Sequence, residues 1–267
     1  MKRRWRYDIR LELFSLLEGK KKKASDPTVI MIHGLLADLT SYDGASFYLR
    51  EKFQFLRYDC AGHGKSPAAL DVYHLEEHVL DLVELIKKNH LEKVILLGMS
   101  NGARIAMEYA RRFPEKVVAV IACDTFDIPT PMVKAKLGSW IAATATGGME
   151  LRFDISTPWI WGESAFNEKS EHILSYRSRP SVINEASAVF LMKGAMETAI
   201  DVSEILCPIL FLVGKEDLLT PPFLHEAMQA KAKNSTLKIV EGGHACLIER
   251  PTIMDKLIIP WIEKTIS

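Results

Sequence analysis

Apolar and polar positions along the chain follow two alternating periods. Residues 29–32, 93–97, 117–123 and 209–213 carry continuous runs of β-branched and other apolar side chains. They have the length of strands and the composition of strands buried on both faces. Residues 53–58 and 237–240 read as further strands. Residues 5–17 alternate polar with apolar, as in Arg6-Tyr7-Asp8-Ile9-Arg10-Leu11, the period of a half-exposed strand pair. Between the strands the period lengthens. Leu75, Val79, Leu82, Val83 and Ile86 fall at i, i+4, i+7, i+8 and i+11, which predicts an amphipathic helix. Other helices are expected over 46–52, from residue 101 to a stop before Pro114, over 222–231, and from about Ile248, where Pro260 should kink or interrupt the last one.

Alternation of strand and helix predicts an α/β fold: a mostly parallel twisted sheet of about eight strands with helices on both faces. From about residue 126 to residue 200 the rhythm breaks. This stretch holds helix-forming segments and many aromatic residues, among them Trp140, Phe153, Trp159, Trp161 and Phe166, but no long β-branched run. The expected organisation is a sheet domain of residues 1–125 and 201–267 with residues 126–200 inserted.

Composition narrows the function. The chain has 267 residues, 48% hydrophobic and 25% charged, and its 34 Lys and Arg balance 34 Asp and Glu. No overall field therefore points to nucleic acid or to a membrane surface. No apolar stretch reaches the ~18 residues of a membrane span, and Met1 leads into basic, amphipathic sequence rather than the apolar core of a leader. Cys60, Cys123, Cys207 and Cys246 are scattered without metal-ligand spacing, as expected of reduced, packed thiols in a cytoplasmic protein. Neither a metal nor a cofactor is expected, and a monomer or homodimer is.

Chemistry concentrates at Gly98-Met99-Ser100-Asn101-Gly102, where a strand run passes at once into a helical pattern. A sharp strand-to-helix turn of this kind lifts a serine hydroxyl out of the sheet edge, and the flanking glycines let neighbouring backbones pass close by. A serine needs a base, and the base needs a third group to orient it. Candidates belong on loops at the C-terminal ends of later strands. Asp217 follows the strand at 209–213, and His244 follows a glycine pair after the strand at 237–240. Asp124, directly after the strand at 117–123, competes for the acid role. An oxyanion hole would use the backbone N–H of Asn101 and one from the loop after residues 29–32, Leu35 before Leu36. Two other patterns lead nowhere. Gly64-Lys65-Ser66 resembles the end of a phosphate loop, but Asp59 stands where that motif has glycine. Cys246 is read as a packed thiol.

These residues together resemble the α/β-hydrolase superfamily over nearly the whole chain. His33-Gly34 is similar to its oxyanion loop, and residues 59–66 to its Asp-x-x-Gly-x-Gly-x-Ser turn, whose role there is structural. Residues 98–102 are similar to its elbow. Gly214-Lys215-Glu216-Asp217 with Pro221 is similar to its acid loop, and residues 243–251 to its histidine loop. The resemblance lies with the small capped branch that holds 3-oxoadipate enol-lactonases, carboxylesterases and meta-cleavage C–C bond hydrolases. Serine at the elbow argues against the branches that use aspartate there. Ala245 stands where several C–C hydrolases carry tryptophan.

The resemblance implies a serine hydrolase acting on a small-molecule carboxylic ester or lactone through Ser100, His244 and Asp217. It also implies that residues 126–200 form a helical cap, with Trp140, Trp159 and Trp161 lining an acyl pocket and Arg152, Arg177 or Arg179 free to pair with a substrate carboxylate. C–C bond hydrolysis, and a non-enzymatic ligand sensor that keeps the same three residues, are the alternatives.

Overall fold

The computed structural model describes residues 12–21, 23–177 and 183–267. Its strands are β1 (Ser15–Glu18), β2 (Thr28–Ile32), β3 (Phe55–Tyr58), β4 (Val94–Met99), β5 (Val117–Cys123), β6 (Ile209–Gly214) and β7 (Ser235–Val240). They form one seven-stranded sheet in the order β1-β3-β2-β4-β5-β6-β7. The continuous apolar runs sit side by side at its centre, as two-sided burial requires. β1 runs antiparallel to β3, and every other pairing is parallel. About eight strands were expected and seven are found among the described residues. Residues 5–11 of the alternating N-terminal run lie outside them.

The helices are α1 (Asp43–Ser46), α2 (Leu75–Lys88), α3 (Asn101–Arg112), α4 (Pro131–Ile160), α5 (Glu163–Ser175), α6 (Glu185–Ala195), α7 (Pro222–Lys231), α8 (Cys246–Glu249) and α9 (Ile259–Ile266). Successive strand residues point to opposite faces, so each strand feeds two cores. Ile30, Ile32, Leu96, Val120 and Phe211 pack with Leu75, Val79 and Leu82 of α2 and with Ala106 and Tyr109 of α3. Val29, Met31, Ile95, Leu97, Ile121 and Leu212 pack on the other face with Ala45 of α1, Leu247 of α8 and Ile259 and Ile262 of α9.

Two boundaries differ from expectation. The first helix ends at Ser46, and residues 47–52 continue it as turns. The last is not one kinked helix. α8 stops before Pro251, and the chain turns helical again with a π-helical turn over Met254–Ile258 that runs directly into α9, so the regular helix is interrupted just before Pro260.

Between β5 and β6 the described chain is helical, and it covers a third apolar cluster that includes Phe126, Leu137, Trp140, Leu191 and Leu219. α4 breaks at Gly147 and Gly148, and Gly148 has φ +68°. The stretch is tied down at two places, between α4 and α5 and after α6. At one, the Gly162 and Gly243 N–H groups each donate to a carboxylate oxygen of buried Glu249 at 2.9 Å, and the Ser164 N–H donates to Glu216 at 2.9 Å. At the other, Arg104 of α3 donates to the carbonyls of Ala195 (2.7 Å) and Thr198, with its guanidinium 4.6 Å from the Phe126 ring centre. Among the described residues no helix is long and apolar enough to cross a membrane.

A Cβ at Gly102 would overlap the carbonyl oxygens of Ile32 and His33, whereas one at Gly138 in α4 would meet nothing within 4 Å. Gly102→Ala is therefore expected to lose about 2 kcal/mol or more, a fall in Tm of roughly 4–8 °C. Gly138→Ala is expected to gain up to about 1 kcal/mol from helix propensity. Thermal unfolding of the two variants beside the parent checks both signs.

Candidate active site

Parallel register brings the C-terminal ends of β2, β4, β5 and β6 to one edge of the sheet: Ile32 pairs with Gly98, and Met99 with Cys123, which pairs with Leu212. The loops after these strands, and the one after β7, carry the chemistry. Ser100 sits between β4 and α3 with φ 55° and ψ −119°, outside the regions L-residues prefer. Its N–H donates to the Cys123 carbonyl (2.8 Å), and its carbonyl accepts from the Thr125 hydroxyl (2.8 Å).

Ser100 Oγ lies 2.9 Å from His244 Nε2, and His244 Nδ1 lies 2.9 Å from Asp217 Oδ2. Asp217 is almost wholly buried. Its Oδ1 accepts from the N–H groups of Leu219 and Thr220 (both 2.8 Å), and its Oδ2 also accepts from the Thr220 hydroxyl (2.8 Å), which stands 3.1 Å from His244 Nδ1. Burial opposes both charges. The mutual attraction and the donors around Asp217 outweigh it, leaving His244 above its ordinary value and Asp217 below its own. Asp124 does not reach His244. Its Oδ1 accepts from the Gly214 N–H (2.9 Å), and burial, reinforced by the charge of Asp217, pushes its carboxyl up to about 8.

The loop after β2 is braced by two histidines. His33 Nδ1–H donates to the Gly34 carbonyl (2.8 Å) while Nε2 accepts from the Cys60 N–H (2.9 Å). His63 Nδ1–H donates to the Ala61 carbonyl (2.9 Å) while Nε2 accepts from the Leu36 N–H (3.1 Å). Accepting at Nε2 requires both rings neutral, and burial lowers both pKa values accordingly. The Leu36 N–H is thus committed to His63. Leu35 and Asn101 border the cavity beside Ser100, and Asn101 opens α3, where first-turn N–H groups have no partner within the helix.

Residues 59–66 form a closed turn around Asp59, which accepts from the N–H groups of Leu39 (2.9 Å) and Lys65 (2.8 Å). Its carboxylate fills the space beside Gly64. Cys246 is fully buried, and burial raises its thiol pKa, as a packed thiol requires.

A cavity of about 720 Å³ opens beside Ser100 and His244. Trp140 and Trp161 line it; Trp159 does not, but stacks on Trp140 with ring centres 6.4 Å apart. Arg152 and Arg177 also border it. Arg177 is half exposed and already bonded to Asp154 and Glu150, each at 2.7 Å. Arg179 lies outside the described residues.

Sequence reasoning missed Thr220, Glu249 and Arg104. An aspartate followed three residues on by threonine is the local signature of a side chain satisfied by its own loop, and Asp217-Leu218-Leu219-Thr220 carries it. Glu249 and Arg104 have partners distant in sequence, which no local pattern reveals.

Sheet topology, elbow and loop placement define an α/β-hydrolase, an enzyme fold. Residues 23–251 match the family described as serine aminopeptidase, S33, and the chain belongs to that family. The 3-oxoadipate enol-lactonase 2 of Acinetobacter baylyi is 24% identical over 239 residues, covering 86% of each protein. A thermophilic esterase from Thermogutta terrifontis superposes with TM-score 0.86 at 24% identity, covering 96% of this chain and 95% of that one. The enol-lactonase from Burkholderia xenovorans superposes with TM-score 0.86 at 19% identity, covering 95% and 97%.

Because Asp217 supplies the charge that offsets burial of His244, Asp217→Asn should drop the His244 pKa below that of the parent. Asp124→Asn should lower it less, since Asp217 acts on the ring more strongly than Asp124 does and is hydrogen-bonded to it. Ring NMR titration of His244 in the three proteins measures this.

Proposed function

We propose that the protein is a serine hydrolase of carboxylic esters or lactones, with Ser100 as nucleophile, His244 as base and Asp217 as the orienting acid. The observation that carries this is the unbroken line Ser100 Oγ–His244 Nε2 (2.9 Å) and His244 Nδ1–Asp217 Oδ2 (2.9 Å). His244 Nε2 takes the proton as Oγ attacks the substrate carbonyl, and Asp217 stabilises the resulting imidazolium. The carbonyl oxygen becomes an anion facing the N–H groups of Leu35 and Asn101. Collapse of the tetrahedral intermediate breaks the bond to the leaving oxygen, which His244 protonates. Water then gives a proton to His244 and attacks the acyl-serine, releasing the acid and restoring Ser100. Each oxyanion donor is worth about 2.7–4 kcal/mol of barrier in such sites.

Similarity to an esterase and to enol-lactonases supports this choice of bond within the hydrolase class. The helical stretch 126–200 is proposed as a cap that encloses the substrate: α4, α5 and the turn between them supply one wall of the cavity, including Trp140 on α4 and Trp161 in the turn, and the loops after β2 and β7 supply the other. A closed apolar wall removes water and strengthens the charge interactions at Ser100.

A fluorophosphonate probe should label the parent and not Ser100→Ala. On a panel of esters and lactones of graded acyl length, Ser100→Ala should lose about 10³-fold or more in kcat, and Asp217→Asn about 10³–10⁴-fold. Labelling that persists in Ser100→Ala would move the nucleophile elsewhere. Activity lost in Asp124→Asn but kept in Asp217→Asn would move the acid. Turnover of a dienol 1,5-diketone without turnover of esters would change the bond to carbon–carbon.

A further inference from the structure

Arg152 sits on the second half of α4, after the break at Gly147 and Gly148, and borders the cavity that Ser100 opens into. It is partly buried, and burial pulls its pKa down to about 10, still fully protonated at neutral pH. Among the described residues its one hydrogen bond is weak: Nη1 donates to the Ser156 hydroxyl at 3.3 Å, and that hydroxyl in turn donates to the Phe153 carbonyl. Nε is buried with no hydrogen-bond partner among them. The two fully buried arginines are better compensated. Arg57 pairs with Glu18 (2.6 Å) and Asp43 (2.5 Å), and Arg104, whose Nε also lacks a partner there, gives both Nη groups to carbonyls and feels the charges of Asp127 and Glu108.

A buried cation without a counter-charge is unfavourable unless something else supplies one. The carboxylates bordering the same cavity do not. Asp38 accepts from the Thr40 N–H (2.8 Å) on its own loop, and Asp43 is the partner of Arg57. Met149, Phe153, Trp161 and Tyr176 line the same cavity, surfaces suited to a hydrocarbon chain or ring, together with the polar Ser156, His172 and Arg177. The Nε and Nη2 hydrogens share one edge of the guanidinium plane, the edge that engages a carboxylate through two parallel hydrogen bonds.

We propose that Arg152 is the anchor for a carboxylate carried by the substrate, so that the ester or lactone opened at Ser100 is itself an anionic acid. A single guanidinium in an apolar wall matches one negative charge, which favours a carboxylate over a phosphate dianion. The assignment deepens the hydrolase reading and rests on it for the reaction, but not for the binding.

The test uses matched substrate pairs. Mono-4-nitrophenyl esters of dicarboxylic acids from four to eight carbons place a free carboxylate on the acyl side, and their methyl esters remove the charge. 4-Carboxyphenyl acetate and its methyl ester do the same on the leaving side. For at least one pair the parent enzyme should prefer the acid by tenfold or more in kcat/KM. Arg152→Met should abolish that preference while hydrolysing the neutral member within threefold of the parent rate, and Arg152→Lys should fall between. Neutral-ester turnover shows that each variant is folded. Absence of any preference, or equal loss on both members of every pair, would overturn the anchor and leave the hydrolase reading intact. Should no ester be cleaved by the parent, binding decides. Glutarate, adipate or suberate should raise the Tm of Ser100→Ala and not of the Ser100→Ala, Arg152→Met double variant. A shift that survives loss of Arg152, or no shift at all, overturns the proposal there.

Discussion

Every other feature of the site depends on the backbone of Ser100. A non-glycine residue held at φ 55° costs about 1–3 kcal/mol and persists only where its surroundings dictate it. Here they do. Its N–H and carbonyl are both bonded to the turn after β5, and the N–H groups of Ala103 and Arg104 close the helix on the same carbonyl. Gly98 lies so close to the Ala103 backbone, and Gly102 to the Ile32 and His33 carbonyls, that neither position has room for a Cβ. Strand, turn and helix are thereby locked into one body with the end of β2. The result is a hydroxyl fixed at the sheet edge, against which the loops from β2, β6 and β7 are set.

Those loops are positioned by polar groups rather than by apolar packing. His33 and His63 pin the chain after β2 by accepting backbone N–H groups, and one of these bonds uses up Leu36. That removes the Leu36 N–H from the donors left on this loop. On the opposite side Glu249 accepts from Gly243, next to His244, and from Gly162 at the start of α5. One buried carboxylate therefore fixes the histidine loop and the helical stretch above it together. Arg104 makes the equivalent link from the elbow helix to the end of α6. A displacement of the helices over the cavity is thus coupled to the elements that carry Ser100 and His244.

The sheet and its loops were legible because the information is local. Residues 117–123 read as β5 from composition alone, residues 222–231 read as α7, and the glycines at 98 and 102 announced close backbone approach. Asp217 could be placed after β6 but not separated from Asp124 by local pattern, since both follow buried strands at the same edge. Three-dimensional distance separates them. The roles of Glu249 and Arg104 were hidden for a related reason: Glu249 reaches Gly162 and Arg104 reaches Thr198, both far away in sequence. The tryptophans show how aromatic composition blurs side-chain direction. Trp159 and Trp161 are two residues apart in sequence, yet only Trp161 borders the cavity, because α4 ends at Ile160 and the chain leaves the helix there. The interruption at Pro260 was legible, whereas the break between α8 and the π-helical turn at Met254 was not.

The two aspartates also explain why a buried histidine titrates above its ordinary value. Asp217 and Asp124 are both inaccessible to solvent, but their surroundings differ. Asp217 has two backbone N–H groups, a threonine hydroxyl and the imidazole, enough donors to hold a charge without water. Asp124 has one N–H from Gly214, and burial together with the charge of Asp217 keeps it protonated to about pH 8. In the proposed reaction two full negative charges beside His244 would hold the imidazolium too firmly, and a base that does not release its proton is a poor acid for the leaving group. With none, burial would lower the pKa of the ring. Unequal numbers of donors around two otherwise similar carboxyl groups leave Asp217 as the main charge facing the ring, the arrangement that a proposed base and acid at His244 would need.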